Sequence, residues 1–311
     1  MAGAALRPMP PDAASAPAPT PPLTSVPGPV SAPAGGGWHA RLQIDYRLEA
    51  GRTLAHDAHV GPLRVLQPLY PEGEAICHHV LVHPPGGIVG GDELRLQLQL
   101  APGSHALITT PGATRFYRSD GRPALQHARL LLQADARLEW LPLETIAYPG
   151  CEARNEVEFE LAPGSQLLGW DVLALGLPAA GAAFDRGHYS QRLHWPGHWL
   201  EWGPIDAADH ALLHGPLGLA GHTVLGTLWW AAGSTPAEAM RDSMLEAARQ
   251  TLAASELHGS AGATALEPGL LVVRVLARRV EPLLALLRGV RAAWRRQAWG
   301  LDEAAPRVWR T

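Results

Sequence analysis

Side chains able to hold a metal or move a proton are gathered in a few short stretches. Cys77-His78-His79, with His83 shortly after, is the compact metal-capable set. A strand rises about 3.3 Å per residue with alternating faces, so Cys77 and His79 share a face about 7 Å apart, and His83 lies about 20 Å from Cys77 along an extended chain. A closed structural zinc site takes four ligands. The spacing therefore argues against a closed zinc site: Cys77, His79 and His83 read first as ordinary strand residues and otherwise as candidates for a weak, transient nickel or zinc contact, with no tightly bound metal or other cofactor. His78, on the opposite face, reads as a packed or solvated histidine.

Acids set in apolar runs are the second feature. Asp171 lies within Leu167–Leu175 and Glu144 within Leu141–Tyr148. Burying an unpaired carboxylate costs several kcal/mol, so each must meet an Arg, backbone amides, internal water or a metal. Either a plain structural partner or a polar internal passage satisfies that demand. Two acids also suit glycoside hydrolysis, as acid and nucleophile or base, which makes a β-helical carbohydrate-active hydrolase using Glu144 and Asp171 the alternative reading. The sequence holds 11 Trp, but Trp140, Trp170 and Trp195 fall in apolar strand runs and read as core. No G-x-S-x-G nucleophile elbow is present. Every basic residue is Arg, and the lack of Lys excludes a Walker A phosphate loop and Schiff-base chemistry. A net charge of −4 gives no electrostatic support for nucleic-acid binding.

The elements that must carry these residues are mostly strands. Arg41–Leu48, Ile76–Val82, Leu94–Leu100, Ala106–Thr110, Arg129–Leu132 and Val157–Leu161 alternate or run apolar between turns rich in Pro, Gly and Asp. Leu100-Ala-Pro-Gly-Ser, Leu132-Gln-Ala-Asp-Ala, Leu161-Ala-Pro-Gly-Ser and Leu193-His-Trp-Pro-Gly form a weak repeat, each a strand end, a tight turn and a new strand. Repeats of this length suggest a coiled stack of β-sheets, although recurring β-turns alone would look similar. Two helices follow. The first starts at the capping box Thr235-Pro236-Ala237-Glu238, with Pro at the first helical position, and runs to about Ala253. Pro282 opens the second, with Leu283, Leu286, Leu287, Val290 and Trp294 on one face and Arg288, Arg291 and Arg295 on the other.

Residues 1–37 are rich in Pro, Ala and Gly and read as a disordered tail, leaving 38–311 as a single β-rich domain. The tail lacks the apolar core of a secretory signal. The apolar run Leu167–Phe184 contains Asp171 and Pro178, which argues against a membrane span. Two cysteines, Cys77 and Cys151, fit a reducing compartment.

The sequence also contains His83-Pro-Pro-Gly86-Gly87-Ile-Val-Gly90-Gly91-Asp92, where stiff prolines and permissive glycines specify one tight path between strands. It is followed by Thr109-Thr-Pro-Gly-Ala-Thr-Arg115-Phe-Tyr117-Arg118-Ser119. Together they resemble the signature of the UreD (UreH) urease accessory proteins. Further similarity lies in Pro68–Gly73, Leu138–Pro142, Glu144–Ile146, Gly221–Thr227 and Pro306–Trp309. The resemblance implies a largely β, coiled-sheet protein without catalytic activity of its own, working in the cytoplasm. It implies a scaffold between apo-urease and the partners UreF and UreG, the last a GTPase that joins through UreF. Nickel would be in transit, with Asp171, Glu144 and Asp92 as candidates for its path. The sequence departs from the family in having Asp171 for the usual Glu. Leu177 and Ala182 stand where relatives often carry Arg and Glu, which suggests a lost ion pair.

Overall fold

The computed structural model describes residues 36–310. Apart from Gly36 and Gly37, the tail expected over 1–37 lies outside the described residues. In chain order the strands are β1 (His39–Glu49), β2 (Arg52–Val60), β3 (Arg64–Val65), β4 (Ile76–Val82), β5 (Glu93–Leu100), β6 (His105–Thr109), β7 (Thr114–Phe116), β8 (Ala124–Leu132) and β9 (Arg137–Leu141). They continue with β10 (Thr145–Ala147), β11 (Glu152–Leu161), β12 (Gln166–Leu175), β13 (His188–Trp195), β14 (Trp199–Asp206), β15 (Val224–Ala232), β16 (Ala261–Glu267) and β17 (Leu270–Ala277).

These strands form two sheets. The first has the order β14-β13-β11-β8-β5-β1-β2, and the second β16-β17-β15-β12-β9-β6-β4-β3, with β10 joining β12 to β7. Between β4 and β13 the chain crosses repeatedly from one sheet to the other. Each crossing adds a parallel strand, so β5, β8, β11 and β13 stack in the first sheet and β4, β6, β9 and β12 in the second. This is the coiled, mainly β architecture the sequence predicts.

The period is visible in the register. Leu100 pairs with Leu132 and Leu132 with Leu161. The turn residue three positions on is left-handed each time, at Gly103 (φ 69°), Asp135 (φ 58°) and Gly164 (φ 76°). Gly adopts that conformation freely, and Asp is among the few other residues that tolerate it. The fourth predicted unit breaks step. Leu193 pairs with Val157, four residues short of Leu161. The turn after Trp195 then folds β14 back antiparallel on β13 instead of crossing to the second sheet.

The two sheets have different environments. In the first, one face is apolar (Leu94, Leu96, Leu98 and Leu100 on β5) and the other carries Arg95, Gln97 and Gln99. The second sheet is buried on both faces, and its strands are correspondingly continuous apolar runs. Its inner face meets the first sheet around Leu138, Leu167, Leu173 and Trp229. Its outer face packs Leu168, Trp170, Leu228 and Trp230 against the helices α2 (Glu238–Ala253) and α3 (Val280–Trp299). A shorter helix, α1 (His210–His214), not anticipated from the sequence, follows β14.

Three helix expectations need correction. Helix α2 begins at Glu238, with Ala237 extended and no side-chain cap. Thr235 precedes a proline, which steers its backbone away from the helical region. Pro282 is the third residue of α3, where its missing N–H leaves no helical bond unmade. Arg291 and Arg295 do not face solvent. They are 1% and 0% exposed. Among the described residues no helix is long and apolar enough to cross a membrane.

Candidate functional site

The glycine loop between β4 and β5 is held from two sides. Asp92 is buried, and its Oδ1 accepts from the Trp38 N–H (2.7 Å) while Oδ2 accepts from the Val89 N–H (2.9 Å). On the other side, the Ile88 N–H donates to Arg115 O (2.7 Å) and the Tyr117 N–H to Ile88 O (2.9 Å). The two family-like motifs are therefore zipped together. Gly86 (φ 75°) and Gly91 (φ 92°) use left-handed backbone. Gly87 and Gly90 are required for space, since a Cβ there would lie 1.9 Å from the Tyr117 ring and 2.3 Å from Ser119 Oγ. Tyr117 in turn packs edge-on to Tyr148, and Arg118 lies beside Gly150.

Beneath this loop is a cavity of about 300 Å³, lined by His83, Gly87, Arg115, Gln126, Ala128 and Trp140 among others. Gln126, Ala128, Trp140 and Pro142 also line a second cavity of about 10 Å³, whose far wall contains Thr145, Asn155 and Asp171. That volume is close to the threshold for one water-sized occupant. The shared lining thus leads from the loop to a buried carboxylate.

Two facing polar rows meet there. In the first sheet, Gln126, Asn155 and Gln191 occupy one rung of β8, β11 and β13. In the second, Asp171, Thr227 and Arg274 occupy one rung of β12, β15 and β17. Because alternate residues share a face, each row points into the otherwise apolar space between the sheets. The Gln126 amide donates to Asn155 Oδ1 (3.1 Å), and Asn155 Nδ2 donates to Asp171 Oδ2 (2.9 Å). At the outer end, Glu201 on β14 accepts from Thr227 Oγ1 (3.2 Å) and pairs with Arg274. This polar seam crosses the strands from the cavity to β14, at the edge of the first sheet, and to β17, one strand in from the edge of the second.

Asp171 is the unusual member. It is 5% exposed, and its Oδ1 is buried with no hydrogen-bond partner among the described residues. Burial, aided by the charge of Glu201 and opposed by the Asn155 bond, raises its pKa to about 7. Tyr189, fully buried beside Asp171, Asn155 and Thr145, is pushed well above the ordinary phenol value by the same burial. His83 Nε2 and Trp140 Nε1 are also buried without partners among the described residues. Unsatisfied polar atoms thus recur in the linings of these two cavities, a feature that native interiors otherwise avoid.

The remaining sequence candidates lie elsewhere. Glu144 is half-buried in the loop before β10. The flanking residues Leu143 and Thr145 line the small cavity, whereas the charge of Glu144 acts on Arg288 of α3. Glu144 is therefore not among the residues lining the small cavity that holds Asp171, and a 10 Å³ space admits no sugar ring. Cys77 and His79 do share the inward face of β4. Burial raises the Cys77 thiol to about 11 and lowers the His79 imidazole to about 4, and His79 Nδ1 is bonded to the Tyr46 hydroxyl (2.7 Å). A metal-binding Cys must be a thiolate, and burial disfavours that form. His78 is bonded to Glu72 (2.7 Å) on the other face. Among the described residues no three Cys, His, Asp or Glu side chains come together as a metal cluster.

Sequence reasoning passed over a second buried charge group. Glu139 is 0% exposed and faces the helices. Its Oε2 lies 2.6 Å from Arg291 and its Oε1 3.1 Å from Arg295 Nε, the latter an ion contact without hydrogen-bond alignment. Arg295 continues to Glu72 (2.6 Å) and to Asp302 O (2.7 Å), and Arg291 to Ala304 O (3.0 Å). Trp309 Nε1 donates to Thr109 Oγ1 (2.8 Å), with its ring against Trp170. Three of the motif stretches, around Glu72, Glu139 and Trp309, are thus parts of one bolt fastening α3 and the C-terminal segment to the second sheet. The signal was available: Glu139 sits in a strand run as apolar as that of Asp171. Leu177 and Ala182 face each other as an isolated antiparallel bridge, so side chains of opposite charge at those positions would be neighbours.

Comparison with known proteins bears out the family resemblance. The family profile described as UreD urease accessory protein matches residues 39–310. The chain is 59% identical over 276 residues to the urease accessory protein UreD of Leptothrix cholodnii, covering 88% of this chain and 99% of that one. It is 54% identical over 274 residues to the protein of the same name from Variovorax paradoxus, with the same coverage of both chains. Identity to the counterpart from Methylibium petroleiphilum is 52% over 294 residues, again covering 88% and 99%.

Proposed function

Because the chain belongs to the UreD urease accessory protein family, and so serves urease maturation, we propose that it is a non-catalytic scaffold that passes nickel inward along the polar seam to apo-urease. In this reading it works in the cytoplasm, binds UreF and apo-urease directly, and meets the GTPase UreG through UreF. Nickel is cargo, held at no point tightly.

The observation that carries the reading is the unpartnered Asp171 Oδ1 in a cavity of about 10 Å³, where the two polar rows meet. A divalent cation entering a low-dielectric interior loses hydration, and a carboxylate offsets that cost. Hard oxygen ligands such as Asp171, with the Asn155 and Gln126 amides beside it, are poor at retaining nickel against nitrogen and sulfur ligands. Weak ligation favours onward movement. The raised pKa of Asp171 suits this role, since the proton leaves when the cation arrives and returns when it departs. His83 at the first cavity is the entry-side contact, and Asp92 serves the path by shaping the loop above it.

The test measures two quantities in one preparation: recovery of the complex with UreF and apo-urease, and nickel per urease active site. Asp171→Ala is expected to leave the complex intact and lower nickel loading. Glu144→Ala is the comparison, a half-buried acid outside the small cavity. Normal loading by Asp171→Ala in an intact complex would remove this carboxylate from the nickel path, and joint loss of complex and loading would assign it a structural role.

A further inference from the structure

We propose that His210 and His214 on α1 form a surface chelate for a divalent first-row transition ion. Residues four apart on a helix lie one above the other on the same face. The two imidazoles are exposed, with ring centroids 5.9 Å apart and planes inclined by only 16°. Among the described residues neither ring has a hydrogen-bond or ion-pair partner. They contrast with His78 and His79, which are buried and already bonded to Glu72 and Tyr46.

A five-residue helix would fray unless anchored, and α1 is anchored at both ends. Asp209 Oδ1 accepts from the Leu212 N–H (2.9 Å) at its start. At its end the chain turns back, with Gly215 N–H donating to Ala211 O (2.9 Å), Leu219 N–H to Leu212 O (2.7 Å) and Gly221 N–H to Leu213 O (2.8 Å). Leu213 is buried in the core between the sheets. A Cβ at Gly215 or Gly218 would lie 2.3 Å from Ala211 O or 2.1 Å from Leu212 O, so this return path is specific to glycine. The histidine pair therefore sits on a rigid platform, which lowers the entropy lost on chelation.

Two histidines at this spacing are the imidazole half of helical zinc motifs. Imidazole suits nickel, copper and zinc. No third Cys, His, Asp or Glu joins them among the described residues, so the remaining coordination positions stay with water or with a ligand from another protein. Such a site captures and releases. The choice of nickel as ion rests on the proposed function; the chelate itself does not.

The test uses the full-length protein titrated with Ni²⁺ or Zn²⁺ alone. Paramagnetic broadening by Ni²⁺ should appear first on the His210 and His214 ring resonances. In calorimetry His210→Ala and His214→Ala should each weaken the strongest binding event at least tenfold, with unchanged thermal melts because both side chains are exposed. The control His258→Ala, at another exposed histidine, should bind as the parent does. An unchanged isotherm in His210→Ala/His214→Ala, or first broadening at other histidines, overturns the proposal whatever the outcome for urease loading.

Discussion

Two of the places where the molecule buries charge treat it in opposite ways. Between the second sheet and the helices, Glu139 and Glu72 meet Arg291 and Arg295, so two acids face two bases and the guanidinium groups also reach carbonyls of the C-terminal segment. Between the two sheets, Asp171 has one amide donor, a like charge at Glu201 and an oxygen facing a small void. The first arrangement sets every charge against an opposite one at ion-pair distance, even where Glu139 Oε1, Arg291 Nη2 and Arg295 Nε make no aligned hydrogen bond among the described residues, and it fastens the fold. The second gives Asp171 no opposite charge and leaves its Oδ1 without a hydrogen-bond partner among the described residues, which a purely structural role does not require. A buried charge is thus informative about function through what it lacks, not through its burial.

The largest expected effect breaks the paired region. Glu139→Ala leaves Arg291 and Arg295 facing apolar surroundings, and removing one partner of a buried ion pair costs about 3–5 kcal/mol. Urea melts should show that loss, together with release of the C-terminal segment to proteolysis. A loss below about 1 kcal/mol, the range of an exposed pair, would mean that the bolt is solvated.

The next prediction is a contrast in pH dependence. Folded Asp171 keeps its proton until about pH 7, against an ordinary value of 3.8. Its contribution to stability is therefore present at low pH and lost as pH rises from about 4 to 7. Glu72 runs the other way. Burial opposes its ionisation, but bonds from His78 and Arg295 outweigh this and hold it at about 2, against 4.5. Its contribution is present above about pH 4.5 and lost as pH falls towards 2. Asp171→Asn should abolish the first slope and stabilise the protein above pH 7 by an amount of order 4 kcal/mol, at about 1.4 kcal/mol per pKa unit. Glu72→Gln should abolish only the acid slope. Thermal melts of the parent and both variants from pH 4 to 9, with an acid series below, check this; a flat Asp171→Asn difference across pH 4–8 would show that Asp171 is ionised throughout.

The smallest effect touches neither charge. Gly91→Ala forces a left-handed residue to carry a side chain beside Arg122 and should cost more than about 1 kcal/mol. The loss should be the same at every pH, because the loop covers the seam without titrating with it. A pH-dependent loss would couple the loop to Asp171.

Much of this was legible along the chain. Alternation in Leu94–Leu100 and Val157–Leu161, the Leu100, Leu132 and Leu161 turns, and the glycines of the loop are local signals, and local sterics enforce them. The shared inward face of Cys77 and His79 follows from strand parity alone. The readings that failed needed long-range information. Arg291 and Arg295 read as solvent-facing because their partners Glu139 and Glu72 lie more than 150 residues away. Helix α1 escaped notice because its five residues are held by the returning glycine segment more than by propensity.

The sequence by itself determined strand positions, turn conformations, the family and which acids sit in apolar runs, since each depends on neighbours within a few residues. Only the tertiary structure decided which of those acids meets an opposite charge. Gln126, Asn155 and Gln191 are scattered polar residues until parallel register stacks them on one rung, and Asp171 is one acid among several until the opposing sheet gives it a single amide and a void. Hydrogen-bond satisfaction is a property of three-dimensional neighbours, and in a coiled sheet those neighbours arrive one full turn of chain apart.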